Sequence, residues 1–162
     1  MTATETDLFE RLAALGVETE TAHHPPVFTV EEAKRYRGAL PGTHTKNLFL
    51  KDKKGQLWLV VTLEDRAIDL KALRHRIGAA PLSFAKPEAL QEALGVAPGS
   101  VTPFAVINEA AARVRVVLDA EMMNGERLNF HPLSNDATTG ISPMGLLRFL
   151  KACGHDPLVT PL

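Results

Sequence analysis

The chain has 162 residues, 45% of them hydrophobic and 23% charged, enough apolar side chain for one compact core and too few residues for a second. Eighteen basic against nineteen acidic residues leave a net charge of −1, which excludes a bulk field able to wrap the chain along a nucleic acid, so any such contact must be local. No apolar run approaches the ~20 residues of a membrane span, the start Met1-Thr-Ala-Thr-Glu-Thr-Asp7 lacks the segments of a secretory signal, and Cys153, the one cysteine, cannot form an internal disulfide; a cytoplasmic location is expected.

Leu8, Leu12 and Leu15 recur at helical spacing ahead of Gly16 and predict a helix near 6–15. Val17, Thr19 and Thr21 then alternate as in a short strand, which His24-Pro25-Pro26 breaks. Thr29-Val-Glu-Glu32 is a capping box and opens a short helix to about Arg37. Residues 38–45, with two glycines and a proline, read as a loop that delivers Lys46-Asn47 to a strand at Leu48–Asp52. That strand and Gln56–Leu63 form a hairpin about Asp52-Lys-Lys-Gly55. Helices are predicted from Asp69 to about Arg76 and from Pro87 to Leu94, each with a glycine beyond its end. Strands follow at Phe104–Ile107, Arg113–Leu118 and Leu128–His131, and a last helix opens at Ser142-Pro143 and stops at Gly154. The fold class expected is α+β, a single compact domain over 1–162 with a central mixed, largely antiparallel sheet flanked by helices.

Several chemistries lack their residues. Among His23, His24, His44, His75, His131 and His155 no His-x-His or His-x-x-x-His pair occurs, and no Cys-x-x-Cys exists, which argues against a metal. No Gly-x-Ser-x-Gly elbow, phosphate loop or dinucleotide fingerprint is present, and Cys153 at the end of an apolar helix reads as a packed thiol. No cofactor is called for. The basic clusters Lys34/Arg35/Arg37, Lys46/Lys51/Lys53/Lys54 and Lys71/Arg74/Arg76 each read, taken alone, as a solvated face.

Three polar features remain at strand ends and loops, where binding sites are assembled. Lys46-Asn47 is the first; its lysine is either a solvated edge residue or an ammonium that grips a phosphate or polarises an ester carbonyl. Gly99-Ser-Val-Thr-Pro103 is the second, and its glycine would let backbone amides approach a substrate oxygen as an oxyanion hole, although a Gly-x-x-x-Pro spacing is common by chance with 11 glycines and 11 prolines. The third is Phe130-His131-Pro132 running into Ser134-Asn135-Asp136-Ala-Thr138-Thr139-Gly140, either an internally capped turn or a substrate pocket.

Taken in order along nearly the whole chain, these blocks resemble a known family. They are His24-Pro-Pro-Val-Phe-Thr-Val-Glu-Glu32, Thr45-Lys-Asn-Leu-Phe-Leu-Lys-Asp-Lys-Lys-Gly55 with Leu57-Trp-Leu-Val60, Gly99–Pro103, Asn129–Pro143 and Gly154-His-Asp-Pro157. The family is that of the free-standing prolyl-tRNA editing proteins, relatives of the YbaK-type aminoacyl-tRNA deacylases and of the editing domain inserted in bacterial prolyl-tRNA synthetase. Thr138-Thr-Gly-Ile-Ser-Pro143 looks like the branch that hydrolyses Ala-tRNA(Pro), where the cysteinyl-tRNA branch is expected to carry a Gly-Gly-Cys-Ser-Pro-like segment.

The resemblance implies an aminoacyl-tRNA deacylase whose partner is the acceptor end of mischarged tRNA(Pro). It leaves open prolyl-tRNA synthetase as a second partner and implies neither membrane nor DNA; Lys34, Arg35, Lys51 and Lys53 are candidates for contact with the tRNA phosphates. Lys46 would hold the terminal adenosine phosphate or the ester, and Asn47 would orient the aminoacyl group or ribose. The amides of Gly99, Ser100, Val101 and Thr102 would position water or stabilise the oxyanion, with Pro103 fixing the loop. His131, Thr29, Ser134 and Asn135 would contact substrate, and the 2′-hydroxyl of the tRNA would assist. Such editing has a physical reason: a pocket built for proline cannot exclude the smaller alanine, since discrimination by small apolar differences is limited to ~1–3 kcal/mol. Rival expectations are another small aminoacyl-tRNA, cysteinyl or seryl, and a catalytically silent module that binds tRNA or a synthetase.

Overall fold

The computed structural model describes residues 2–26, 41–109 and 113–162; the capping box and short helix predicted at 29–37 lie outside them. Helix α1, Glu5–Ala14, starts at a reciprocal cap between Thr4 and Asp7 and buries Leu8 and Leu12, one turn apart. Strand β1 is Thr19–His23, and β2, Thr43–Asp52, turns tightly into β3, Leu57–Leu63. Helix α2, Leu70–Ile77, is capped by Asp69 and ends at left-handed Gly78, φ 70°. Strand β4 is Leu82–Phe84, and α3, Pro87–Leu94, has its proline at the first position, where no amide donor is needed. The second half holds β5 (Val114–Asp119), β6 (Leu128–Phe130), β7 (Ala137–Ile141), α4 (Pro143–Ala152, capped by Ser142) and β8 (Leu158–Thr160).

The eight strands form one sheet in the order β1-β7-β6-β2-β3-β5-β8, with β4 joined to β2. Pairings β1/β7, β6/β7, β2/β3 and β2/β4 are antiparallel; β2/β6, β3/β5 and β5/β8 are parallel. The sheet is therefore mixed and mainly antiparallel, with helices packed on it, as the sequence predicts. Its two faces carry separate cores. Phe49, Leu59, Val61, Phe104, Phe130 and Phe149 belong to the larger, with Phe104 edge-on to Phe130 and Phe149 at centroid distances of 5.8 and 5.5 Å. Leu50, Trp58, Val60 and Val117 meet Leu73 and Ile77 of α2 on the other face. Among the described residues no helix is long and apolar enough to cross a membrane.

Three local expectations need correction, and two short strands are additional to those expected. Residues 104–107 are not a strand: Pro103–Asn108 is a 3-10 helix started by Thr102, whose hydroxyl accepts the Phe104 amide. Residues 103–106 are all buried, and such a run has no period from which to tell strand from helix. Strand β2 begins at Thr43, inside the segment expected to be loop, and β7 occupies part of the stretch expected to be a polar loop. Strands β4 and β8, three residues each, are too short to show a pattern.

The β2–β3 turn is held by one carboxylate. Buried Asp52 accepts from the Lys54 and Gln56 amides at 2.9 and 3.0 Å through Oδ1, and from Trp58 Nε1 and the Ala80 amide at 3.2 and 3.3 Å through Oδ2. Burial works against its charge, but these four donors prevail and hold its pKa below the ordinary aspartate value. Asp52→Ala should lower stability by about 2–3 kcal/mol, because it orphans several donors at once. The carboxylate's contribution is present above the unfolded-state pKa of about 3.9 and is lost as pH falls through the lower folded value, so the gap between native and variant in urea unfolding should close toward pH 3. An equal gap at pH 7 and pH 3 contradicts the assignment.

Candidate active site

Strand β2 changes neighbours along its length. One side is paired with β3 throughout, from Thr45–Leu63 to Lys51–Leu57. On the other side β6 runs beside Thr43 and His44, while β4 takes Leu50 to Asp52. Among the described residues no strand pairs with Thr45 to Phe49 on that side. Among the described residues only the ends are tied: Thr45 Oγ1 donates to the Asn129 carbonyl at 2.7 Å, and the Phe49 carbonyl accepts from the Ala85 amide at 3.0 Å. Lys46, Asn47 and Leu48 thus line a split in the sheet, where strand edges leave polar backbone available to a ligand.

Strand alternation sends the two polar residues apart. Asn47 pairs with Val61 and shares its face with Phe49 and the larger core; Lys46 pairs with Thr62 and shares its face with Leu48 and Val60. Lys46 is half-buried and makes no hydrogen bond or ion pair with the described residues. The Asn47 side-chain oxygen is buried and accepts from no donor among them. A buried amide oxygen left in this state costs about 1–3 kcal/mol, a cost that a donor on a ligand would remove.

His131 follows β6 directly. The parallel register pairs Thr43 with Leu128 and His44 with Asn129, so Lys46 and His131 each lie two residues beyond the last rung, on neighbouring segments. His131 Nδ1 lies 3.1 Å from the Ala137 carbonyl, which can only accept, so the proton is on Nδ1. Burial pushes the His131 pKa down, and nearby His24 adds to this against the opposing carbonyl bond. The ring is therefore neutral near pH 7, with Nε2 an acceptor. His24 braces the same corner through Nε2 to Thr138 Oγ1 at 2.9 Å and through its amide to the Asp136 carbonyl at 2.9 Å. His24 and Thr138 were not singled out as site residues from the sequence; only the motif His24-Pro25-Pro26 marks the position.

The loop Gly99–Pro103 lies against the larger core through Val101, on the face that Asn47 shares. The Ser100 amide is already engaged with the Ala97 carbonyl at 2.9 Å in a single 3-10 turn, so it is not a donor for substrate. The amides of Val101 and Thr102 reach no acceptor among the described residues, while the Thr102 and Pro103 side chains are buried. Ser134 caps its own turn by donating to Asp136 at 2.7 Å, and Asn135 is half-buried beside it. Thr29 lies outside the described residues. Among the described residues no group of three or more His, Cys, Asp or Glu could hold a metal.

Where β2 begins and β3 ends, a pocket of about 680 Å³ opens, lined by Thr43, His44 and Leu63 to Ala67. Its far wall is anchored by fully buried Asp119, which accepts from Thr62 Oγ1 at 2.6 Å and pairs with Arg66 at 2.8 Å. A pocket of this size accommodates a small organic ligand. One consequence of the His131 environment is directly observable. NMR titration of the histidine ring protons should show His131 as the Nδ1-H tautomer, charging only below the ordinary histidine value of about 6.5; an unshifted titration or the opposite tautomer contradicts the geometry.

Residues 24–149 match the family model described as the aminoacyl-tRNA editing domain. The chain is 45% identical over 157 residues to the prolyl-tRNA synthetase associated domain-containing protein 1 of Bos taurus, covering 94% of this chain and 91% of that one. It is 38% identical over 146 residues to the prolyl-tRNA editing protein ProX of Acetoanaerobium sticklandii, with coverage of 90% and 89%. A crystal structure of a proposed trans-editing enzyme for prolyl-tRNA synthetase shares the fold, with a TM-score of 0.73 at 22% identity over 100% of this chain and 98% of that one. The matched span runs from His24, which braces the His131 corner, through the split strand and the glycine loop to the last helix, and with it the chain belongs to the aminoacyl-tRNA editing domain family.

Proposed function

We propose that this protein hydrolyses the ester linking alanine to mischarged tRNA(Pro), acting as a carboxylic ester hydrolase in the cytoplasm on a product of prolyl-tRNA synthetase. The observation that carries this reading is the neighbouring placement, at a split in the sheet, of a neutral histidine and a half-buried lysine that meets no carboxylate among the described residues, in a chain that belongs to an editing family. The names of relatives that edit prolyl-tRNA or associate with its synthetase point to tRNA(Pro).

In this mechanism water adds to the ester carbonyl, the carbon–oxygen bond to the terminal ribose breaks, and the ribose oxygen leaves with a proton. Lys46 holds the phosphate of the terminal adenosine or the ester oxygen; an ammonium in a half-buried site acts more strongly than one in water. Asn47 accepts a hydrogen bond from the aminoacyl ammonium or a ribose hydroxyl, satisfying its buried oxygen. Gly99 and the amides of Val101 and Thr102 meet the developing oxyanion, with Ser100 and Pro103 shaping the loop rather than donating. His131 offers Nε2 to the substrate, Thr29, Ser134 and Asn135 complete the wall, and the 2′-hydroxyl of the tRNA assists proton transfer. Alanine is selected by a pocket too small for proline, the logic of a second sieve.

Lys46→Ala should lower kcat/KM for Ala-tRNA(Pro) at least 100-fold, equivalent to about 2.7 kcal/mol of transition-state stabilisation, with the melting temperature within a few degrees of native. Deacylation should be measured beside Pro-tRNA(Pro), Cys-tRNA(Pro), a seryl-tRNA and Ala-tRNA(Ala). Loss of cysteine or serine in preference to alanine would move the specificity within the family. Binding of tRNA without hydrolysis of any of these would replace the deacylase by a silent binding module.

A further inference from the structure

The charge of this protein is near zero in total and far from zero locally. Residues 51–58, 71–86 and 113–115 contain three, four and two basic residues, nine of the 18 in the chain, but a single acidic one, Asp52, of 19. The remainder therefore carries nine basic against eighteen acidic residues. These three segments are adjoining in the fold. The Lys53 amide donates to the Pro81 carbonyl at 3.1 Å, Lys51 pairs with Ser83 of β4, Gln56 Nε2 donates to the Arg113 carbonyl at 2.7 Å, and Trp58 pairs with Arg115. The last turn of α2 brings Arg74 to the same end, its Nε on the Ala79 carbonyl.

Among the described residues one cation of this end is neutralised by an acid from outside it, Arg113, which pairs with Glu109 at 3.3 Å. Asp52 is buried and occupied by four donors. Lys51, Lys53, Lys54, Arg74 and Arg115 take part in no ion pair with the described residues. Lys51, Lys53 and Lys54 are exposed, and the Arg115 guanidinium lies over the Trp58 ring at 5.6 Å, which holds its plane in place. A concentration of unpaired cations on an otherwise acidic protein is the electrostatic footprint of a polyanion.

We infer that this end of the sheet binds the phosphate backbone of the tRNA acceptor stem while the 3′ end occupies the split at Lys46. The inference rests on the deacylase reading for the position of the 3′ end. Five strand residues separate Lys46 from Lys51, about 17 Å at 3.4 Å per residue. A stacked nucleic-acid strand rises about 3.4 Å per nucleotide, so about five nucleotides reach from the split to the first lysine of the patch. The unpaired tail then crosses the uncharged part of β2, and the first phosphates of the duplex meet Lys51, Lys53, Lys54 and Arg115. Contacts of this kind set register and affinity without reading sequence.

The test compares native protein with the K51A/K53A/K54A variant on two substrates, Ala-tRNA(Pro) and 3′-alanyl-adenosine, with filter binding of uncharged tRNA(Pro) from 50 to 200 mM salt. The variant should raise KM for the tRNA at least tenfold with kcat little changed. It should also reduce the slope of log affinity against log salt by about 3, one for each phosphate that is no longer neutralised, whereas the rate on 3′-alanyl-adenosine stays native. K51R/K53R/K54R should restore tRNA binding. An unaltered KM and salt slope overturn the inference, as does an equal loss on both substrates, which would place the lysines in folding or chemistry. If native protein hydrolyses neither substrate, the deacylase reading fails, while the binding slope still decides for or against the patch.

Discussion

Strand β2 cannot satisfy two neighbours on one side at once. Its first two residues belong to β6 and its last three to β4, and the five between have no strand beside them among the described residues. Both neighbours are fixed by other parts of the fold. β6 is held by β7 and by Phe130 against Phe104; β4 is held by the short path from α2 through Gly78 and by the Ala80 amide on Asp52. Closing the split would require moving one of two packed faces, and close-packed interiors resist such shifts. The opening is thus a property of the topology, and the residues placed in it inherit an environment that is neither solvent nor core.

That environment explains why so plain a set of side chains suffices. Among the described residues Lys46 is half-buried without a counter-charge, the Asn47 oxygen is buried without a donor, and His131 is held neutral with no partner at its acceptor nitrogen. Each is a local cost to folding, of the kind retained where a ligand later satisfies the group. Strand alternation adds a geometric constraint, since Lys46 and Asn47 address opposite faces. In the proposed reading a substrate reaching both enters the split itself, with its phosphate side toward Lys46 and its acyl side toward Asn47 and the Val101 and Thr102 amides.

Much of this was legible in the sequence. The hairpin, α3 and the cap of α4 follow from turn and capping residues, and Lys46-Asn47 stood out as polar residues entering an apolar strand. Residues 134–140 read as loop because Gly140 and two threonines interrupt any apolar pattern. In the fold Gly140 is a strand residue whose missing side chain makes room for the Arg127 guanidinium, which crosses β7 to pair with Glu20. The oxyanion role assigned to Ser100 fails for a similar reason, because a single 3-10 turn uses its amide and no spacing reveals that. The partition of charge was only partly legible: Lys51 and Lys53 are candidates for phosphate contact from the sequence, but their cluster and that of Lys71, Arg74 and Arg76 each read, taken alone, as a solvated face, and only the pairing of β2 with β3 and β4, and of β3 with β5, gathers them with Arg115 at one end.

The central claim is that the split in β2 receives the aminoacylated 3′ end from both faces at once. Titrating a non-hydrolysable 3′-alanylamido-adenosine into isotopically labelled protein tests it most directly. The account predicts saturable shifts at Lys46, Asn47, Val101, Thr102 and His131 with one shared affinity, and weaker binding of the 3′-prolylamido analogue. Shifts confined to one face of the sheet, or equal binding of the alanyl and prolyl analogues, would contradict it.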